Sequence, residues 1–176
     1  MKFFKKAPET EKIVKSLQNN NDIYLVPAFT GLGAPYWDAN ARGVLSGITR
    51  DTSPKEIVRA TIEAVAYQTH DLFEAMKHDG LRPKIVKVDG GMVMNNWFSQ
   101  FLSDIVNVKV LRPKVQETTA LGAAFMAGLN IGVYKSLKDI SKNWQLDKKF
   151  SSKMKNSSRN ILIDGWEKAV KRALIN

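Results

Sequence analysis

The chain has 176 residues, and 44% of them are hydrophobic, a proportion typical of a soluble globular protein with one core. It contains no cysteine, which excludes disulfide bonds, thiolate catalysis and cysteine-ligated metals and is compatible with a reducing cytoplasm. No apolar run approaches the roughly 20 residues of a membrane span, and residues 1–8 are too short and too polar for a signal peptide. We therefore expect a cytoplasmic protein without a membrane partner.

The net charge of +10 is concentrated at the two ends of the chain. Residues 1–20 carry 5 Lys against 2 Glu, and residues 135–176 carry 11 Lys or Arg against 4 acids. The stretch between them has 11 basic and 11 acidic residues and no basic stripe interleaved with aromatics. We interpret the basic ends as solvated surface and expect no nucleic acid as the main partner. The alternative, an interaction protein that binds RNA or acidic lipid through these ends, requires salt-sensitive binding.

Residues 1–20 are interpreted as a polar lead-in with a short helix over 9–17, followed by a core region over 21–135. A strand is predicted over 23–26 and a second one over 44–49, because both segments are short, apolar and bounded by turn residues.

A loop over 29–38 lies between these strands and contains two glycines, a proline and three aromatic residues. The aromatics either hold the loop in place or border a cleft, and the sequence favours neither. Serine at the N-cap, proline at the first helical position and glutamate three residues after the cap, all within 53–56, predict a helix over 54–77. His70 and His78 have no partner at metal-ligand spacing, so we expect surface histidines and no metal site.

A strand over 85–88 runs into the pair Gly90-Gly91, and a helix is predicted to begin at this corner. Glycine lets a ligand approach the main chain, and a helix N-terminus directs free N–H groups at it. Asn95, one turn along, has an amide that can donate and accept toward a ribose or a base. Gly90, Gly91 and Asn95 are therefore candidate nucleotide-binding residues, although such a corner more often marks tight strand–helix packing.

A strand over 108–111 and a helix over 118–128 follow, so that residues 84–129 form a predicted parallel βαβα unit. Ligands of such sheets bind beyond the carboxyl ends of the strands, where the Gly90-Gly91 corner lies. The helix over 118–128 has a face of small residues, which suits either a closely packed neighbour or a flat ligand. Residues 136–176 are interpreted as a basic C-terminal extension. It ends in a helix expected to dock through Trp166, Ala169, Val170 and Ala173.

Several sequence segments carry a resemblance to a known family: residues 26–38, 41–43, 59–69, 88–91 and 119–124, together with a signature-like stretch over 43–63. In these segments the chain closely resembles the C-terminal domain of the glycerol kinases, members of the FGGY carbohydrate-kinase family. Ala-Pro-Tyr-Trp-Asp at 34–38 and Ala-Tyr-Gln-Thr at 66–69 resemble glycerol kinases more than xylulose or gluconate kinases. The resemblance implies an α/β, ribonuclease H-like domain of the hexokinase–actin type, of which this chain would hold a part.

The same resemblance implies that the glycine pair is an adenosine-binding motif, in which Gly91 and Asn95 match positions that contact the nucleotide. The implied reaction transfers the γ-phosphoryl group of ATP to a terminal hydroxyl of glycerol and gives glycerol 3-phosphate. The implied Mg²⁺ is held largely by phosphates and carboxylates. Catalysis of this type consists of positioning and charge stabilisation, completed by a carboxylate base.

The resemblance leaves out the family's N-terminal domain, its catalytic aspartate, both phosphate loops and the first strands of the C-terminal domain. We therefore expect a C-terminal fragment, truncated at its N-terminus, and assign no catalytic residue. We do not assign Asp38, Glu63 or Asp89 as the catalytic base. Glu63 lies in a predicted helix core, and Asp89 is expected to orient the glycine turn. Exposed strand edges and apolar faces promote pairing between chains. The chain alone is thus expected to be inactive and marginally stable, and to form a homo-oligomer or need a companion chain.

The leading hypothesis is a fragment of an ATP-dependent glycerol kinase that binds ATP or ADP and meets glycerol only with a complementing N-terminal domain. The alternatives are a non-catalytic remnant or nucleotide-binding module, and a fragment of another FGGY polyol or sugar kinase.

Overall fold

The protein is described from a computed structural model, which covers residue 4 and residues 6–174. Its helices are α1 (Glu9–Lys15), α2 (Pro54–His78), α3 (Asn96–Val106), α4 (Thr118–Asn130), α5 (Leu137–Ser141) and α6 (Asn156–Ala173). Its strands are β1 (Tyr24–Val26), β2 (Val44–Ser46), β3 (Ile85–Lys87), β4 (Lys109–Pro113) and β5 (Leu146–Phe150), and a 3₁₀ helix spans Gly91–Met94. This succession of elements confirms the predicted α/β class.

The strands form two separate sheets. β1 and β2 make an antiparallel pair, and β3, β4 and β5 make a three-stranded sheet in that order. β3 runs parallel to β4 with Ile85 opposite Lys109, and α3 connects them, so the predicted parallel β-α-β unit is confirmed. β5 pairs antiparallel with β4, with Val110 opposite Phe150. β5 was not predicted from the sequence, because three of its five residues are charged and no regular apolar alternation marks it.

Helix α2 starts where its sequence predicts. The Ser53 side chain accepts a hydrogen bond from the backbone N–H of Lys55, and the Glu56 carboxylate accepts one from the backbone N–H of Ser53 (3.0 Å). This reciprocal pair satisfies N–H groups that the first helical turn leaves without partners. The helix ends at His78, and Gly80 follows with a φ of +83°.

Helices α2, α3 and α6 share one core centred on Tyr67 and Trp166. The ring of Tyr67 stacks on Trp166 with centroids 5.3 Å apart and meets the edge of Phe101 at 5.6 Å. Trp166 is fully buried, and its indole N–H donates to the Asp71 carboxylate at 2.7 Å. The apolar residues predicted to dock the terminal helix are all buried, so α6 belongs to the core.

Helix α4 lies outside this core. Its small residues are exposed, namely Ala120, Ala123, Ala124 and Ala127. Gly128 is buried, and the ring of Tyr134 lies 2.9 Å from the position of a Cβ built there. In the described part of the chain no other helix or strand covers the alanine face. The small-residue face that the sequence predicts is therefore present and unpartnered.

The aromatic loop over 29–38 is tied down by one of its three aromatics. The hydroxyl of Tyr36 donates to the Asp71 carboxylate at 2.8 Å, and burial, followed by the Asp71 charge, raises the pKa of Tyr36. Phe29 and Trp37 are each 80% exposed. Tyr36 therefore anchors the loop to α2, while the other two aromatics face solvent.

The prediction of two surface histidines is wrong for His70. Its side chain is only 13% exposed, and its Nδ1 is buried without a hydrogen-bond partner in the described structure. The Asp71 and Glu74 carboxylates lie 3.6 and 3.5 Å from its two ring nitrogens. His78, two helical turns on, is exposed as predicted.

Candidate functional site

The glycine corner lies at the carboxyl end of β3. Gly90 has φ +84° and ψ 176°, a conformation that residues with a side chain rarely adopt. Its N–H points to the carbonyl of Gln116 at 3.4 Å, and the N–H of Val88 donates to the carbonyl of Leu111 at 3.1 Å. The corner is thus held against β4 and the segment before α4, and Gly90 is the residue that makes the turn sterically possible.

The α-helix after the corner begins later than the sequence predicts. Gly91–Met94 form a 3₁₀ turn, and Asn95 is the N-cap of α3. The Asn95 backbone is extended, and its side-chain oxygen accepts a hydrogen bond from the N–H of Phe98 at 3.0 Å. An asparagine that caps a helix competes with helical backbone bonds at its own position, which moves the start of the helix to Asn96. The N-terminus of α3 therefore points at Asn95 and not at Gly90.

Gly91 and Asn95 line one pocket of about 510 Å³, which we call the Gly91 pocket. Its wall comes from the segment before α1, from α1 and α2, and from the 3₁₀ turn: Phe4, Ala7, Pro8, Thr10, Glu11, Thr61, Ile62, Gly91, Met92, Met94 and Asn95. Gly90 is not part of the wall; it shapes the turn that places Gly91 there. The structure thus brings together two of the three predicted site residues.

The pocket combines apolar walls with a few polar groups. The Asn95 amide nitrogen lies 3.4 Å from the hydroxyl of Thr10, and the backbone N–H of Asn96 points at the Glu11 carboxylate at 3.4 Å. The hydrogen bond from Lys15 lowers the pKa of Glu11, so that carboxylate is ionised at neutral pH. Sequence reasoning missed these α1 residues because they lie 85 positions before their partners, and no local pattern signals the contact.

The structure shows the surroundings of the three acidic residues to which no catalytic role was assigned. Glu63 is fully buried between Arg59 (2.7 Å) and the hydroxyl of Tyr67 (3.0 Å), and burial raises its pKa against the opposing effect of Arg59. The Asp38 carboxylate accepts backbone hydrogen bonds within its own turn. Asp89 is exposed, and its carboxylate makes no hydrogen bond in the described structure, so the expected orienting contact with the glycine turn is not seen.

The described residues contain no group of three or more His, Cys, Asp or Glu side chains arranged to hold a metal ion. They also contain no helix that is both long and apolar enough to cross a membrane.

Comparisons with known proteins place this chain in a family. Residues 4–131 match the C-terminal domain of the FGGY family of carbohydrate kinases. Glycerol kinase 1 of Pseudomonas aeruginosa is 53% identical over 172 residues, and glycerol kinase of Clostridium botulinum (strain 657) is 50% identical over 175. The alignments cover 98% and 99% of this chain but 35% of each relative. The chain thus spans about a third of the length of the curated relatives it matches.

Solved structures agree with these alignments. The crystal structure of Plasmodium falciparum glycerol kinase with ADP superposes on 99% of this chain with a TM-score of 0.85 and 37% identity, and 35% of that protein is covered. Gluconate kinase from Lactobacillus acidophilus superposes with a TM-score of 0.75 at 23% identity, covering 98% of this chain and 35% of that one, and supports the fold alone. The chain belongs to the FGGY family of carbohydrate kinases, and it carries the C-terminal domain of that family.

Proposed function

We propose that this chain is the adenosine-binding part of an ATP-dependent, cytoplasmic glycerol kinase, with Gly90, Gly91 and Asn95 as its nucleotide-binding residues. The observation that carries the proposal is the meeting of Gly91 and Asn95 in one pocket, in a chain half identical to glycerol kinases. A solved relative with 37% identity is described with ADP, which supports a nucleotide as the ligand.

The pocket suits an adenosine moiety in size and chemistry. Its volume of about 510 Å³ lies within the usual range for small-molecule sites. Met92, Met94 and Ile62 offer apolar surface for the faces of a purine, and methionine adapts readily to a flat ligand. The Thr10 hydroxyl donates to the carbonyl of Ala7 at 2.7 Å and can therefore only accept from a ligand, whereas the Asn95 amide retains a second N–H and a second acceptor site for a base edge or a ribose. The ionised Glu11 at the wall disfavours phosphates there, so the phosphates would extend away from α1.

Phosphoryl transfer itself needs groups beyond those described here. The reaction requires a carboxylate that accepts the hydroxyl proton and groups that bind the transferred phosphate. Since Asp38, Glu63 and Asp89 lie outside the Gly91 pocket, we assign none of them as the base. We also assign no residue of this chain to Mg²⁺, which would neutralise charge on the phosphates when bound. The part played by this chain is to bind and orient the nucleotide.

The two glycines provide a sharp test, because alanine acts differently at each. A Cβ built at Gly91 has no atom within 4 Å, so Gly91→Ala should fold normally and place a methyl group in the pocket. We expect Gly91→Ala to weaken Mg-ADP binding about tenfold or more in calorimetric titrations, with an unchanged melting temperature. Equal binding by Gly91→Ala and the wild type would contradict the proposal.

Gly90→Ala is the matched comparison. Its backbone conformation is open almost only to glycine, so the substitution should cost on the order of 1–3 kcal/mol of stability. For Asn95, alanine would remove the helix cap together with the amide, so Asn95→Ser is the better variant, because serine also caps helices well. Loss of ADP binding in Asn95→Ser at unchanged stability would assign the amide to the ligand.

The remainder of such a kinase, or a second copy of this chain, would have to cover β3 and α4. Ile85 on the open edge of β3 is 50% exposed, and α4 presents an uncharged alanine face. The opposite edge strand, β5, carries Asp147, Lys148 and Lys149, charges that discourage strand pairing. This contrast supports β3 and α4 as the assembly surface and a homo-oligomer or companion segment as its occupant.

Light scattering on the purified chain tests the assembly surface. We expect self-association that Ala124→Asp reduces, because a carboxylate in a close helix contact would be desolvated. A monodisperse wild-type monomer with a cooperative, high melting temperature would contradict this expectation.

Activity is tested by adding the part of P. aeruginosa glycerol kinase 1 that precedes the matched region. Glycerol-dependent ADP release by the mixture, reduced by Gly91→Ala, is the expected result. ADP binding without turnover would instead favour the second candidate function, a nucleotide-binding module without catalysis.

A further inference from the structure

The cavity with the largest volume among those described lies away from the Gly91 pocket and shares no residue with it. It measures about 620 Å³ and lies between the loop that follows α1, helix α3 and helix α6. We call it the Arg59 groove, and its lining includes Gln18, Asn19, Arg59, Trp97, Gln100 and Ile161. None of these residues has a role in the nucleotide site proposed above.

One wall of the groove is held in place by several contacts. The Arg59 side chain is only 9% exposed; its Nε donates to Glu63 at 2.7 Å and its Nη1 to the carbonyl of Leu17 at 2.8 Å. Its guanidinium lies 5.0 Å from the ring centroid of Trp97, and Trp97 stacks on Phe101 with centroids 4.9 Å apart. Arginine and indole therefore form a fixed wall, which lowers the entropic cost of binding a ligand.

The charge of the groove argues against an anionic ligand. The positive charge of Arg59 is already compensated by Glu63 at 2.7 Å. Asp22 and Asp104 line the same space and add negative charge. A phosphate or carboxylate would therefore meet no unpaired cation here and would be repelled by two carboxylates. This separates the groove from sites for nucleotides and sugar phosphates.

Amide side chains supply most of the hydrogen-bonding capacity. Gln100 donates through its nitrogen to Asp104 (3.1 Å) and to the carbonyl of Ser151 (2.9 Å), while its oxygen makes no hydrogen bond within the described chain. The Asn19 oxygen accepts from the N–H of Asn21 (3.0 Å), which leaves its amino group available. Gln18 lines the same groove and makes no side-chain hydrogen bond in the described structure, so its amide can both donate to and accept from a ligand. Hydroxyl groups, which donate and accept, match such a surface.

The loop that carries Gln18 and Asn19 has a fixed backbone shape. Asn21 and Asp22 both adopt left-handed backbone conformations, with φ of +51° and +57°. A Cβ built at Gly47 would lie 2.0 Å from the carbonyl oxygen of Asp22, so the loop is packed closely against β2. On the opposite wall, Ile161 is 66% exposed and offers an apolar surface. The groove thus combines amide side chains, two of them carried on a loop of fixed backbone shape, with an apolar patch, and a carbohydrate presents both hydroxyl and C–H surfaces to such a site.

We propose that the Arg59 groove is a second ligand site, which binds a small, uncharged, polyhydroxylated molecule of the sugar or sugar-alcohol class. The amides of Gln18, Asn19 and Gln100 bind its hydroxyl groups, and Ile161 contacts its C–H face. The site does not depend on nucleotide binding at the Gly91 pocket. For a ligand of about 12 non-hydrogen atoms, affinity on the order of 1 mM is expected.

The test is ligand-detected NMR and calorimetry on the full chain with D-glucose, D-sorbitol and, as the anionic comparison, glucose 6-phosphate. Gln100→Met removes the hydrogen-bonding groups and keeps the side-chain length. Gln145→Met is the matched control, because Gln145 is exposed and lies outside the groove. We expect saturable binding of glucose or sorbitol that Gln100→Met weakens at least about fivefold, with Gln145→Met and Gly91→Ala unchanged.

Three outcomes would overturn the proposal. They are the absence of saturable binding of either neutral probe, tighter binding of glucose 6-phosphate, and equal weakening by the two glutamine variants. Thermal melting of Gln100→Met checks its fold, because Gln100 also bonds Asp104. Ile161→Ser provides a second variant on an exposed position, and unchanged binding in both it and Gln100→Met would likewise reject the groove. Gly91→Ala changes the proposed nucleotide site and not the groove. Its binding of the neutral probes therefore distinguishes a failure of the groove proposal from a failure of the nucleotide-site proposal.

Discussion

Helices α4 and α6 show that burial in this chain does not follow composition. α4 contains no charged residue, yet its alanine face is exposed. α6 contains six charged residues, yet Trp166, Ala169 and Ala173 are fully buried against the rest of the core. A helix without charges is expected to be covered on most sides. The difference supports the assembly surface proposed for α4, whereas the apolar residues of α6 named above are covered by the described chain itself.

The largest expected effect compares Trp166→Ala in α6 with Met126→Ala in α4. Removing Trp166 deletes the stack on Tyr67 and leaves the Asp71 carboxylate with one donor fewer. We therefore expect the free energy of unfolding to fall by about 3–5 kcal/mol. Met126 is 53% exposed, and its truncation should change stability by less than about 0.5 kcal/mol. Urea unfolding measures both, and a similar loss in the two variants would show that α4 is already packed.

A glycine-to-alanine pair sharpens the comparison at intermediate size. A Cβ at Gly165 in α6 would lie 2.2 Å from the hydroxyl oxygen of Tyr24, so Gly165→Ala should destabilise the chain by about 1–3 kcal/mol. A Cβ at Gly122 in α4 meets no atom within 4 Å, and alanine there should stabilise the helix by about 0.5–1 kcal/mol.

The same pair distinguishes packing within the chain from packing between chains. If α4 is an assembly surface, Gly122→Ala should raise the melting temperature of the separate chain and weaken its self-association. A rise in stability without any change in association, measured by light scattering, would argue against α4 as the contact.

The smallest difference expected between paired variants concerns the first turns of α2 and α4. The hydrogen bond with the Ser53 side chain lowers the pKa of Glu56 from its ordinary value of 4.5. Because the folded-state pKa is the lower one, the ionised carboxylate stabilises the fold above pH 4.5, and this contribution is lost as the pH falls through the folded-state pKa. We expect Glu56→Gln to cost about 0.5–1 kcal/mol at pH 7 and nothing at strongly acidic pH.

Glu117→Gln is the control, because Glu117 stands at the N-cap of α4 without a side-chain capping bond. Denaturant titrations across the acidic range should show a pH-dependent cost for Glu56→Gln alone. The same pH dependence in both variants would assign the effect to helix electrostatics in general and not to the capping box.

Local signals in the sequence predicted those elements whose causes are local. The capping box at Ser53 and Glu56 predicts the start of α2, and the glycine pair predicts the turn after β3. The exact start of α3 was not predicted, because Asn95 can either continue a helix or cap one, and only its bond to the Phe98 N–H decides. β5 was missed since its pairing with β4 stabilises a segment that has little strand character of its own.

By itself the sequence determined the family, the α/β class and two residues of the Gly91 pocket, because glycine corners and caps act over a few neighbouring positions. The tertiary structure decided which distant residues join them: Thr10 and Glu11 reach Asn95 and Asn96 across 85 positions. It also decided that α6 is buried and α4 exposed, and that Arg59, Trp97 and a loop of amides share a groove. These are properties of packing between elements, and such packing depends on the whole set of contacts, which no short stretch of sequence contains.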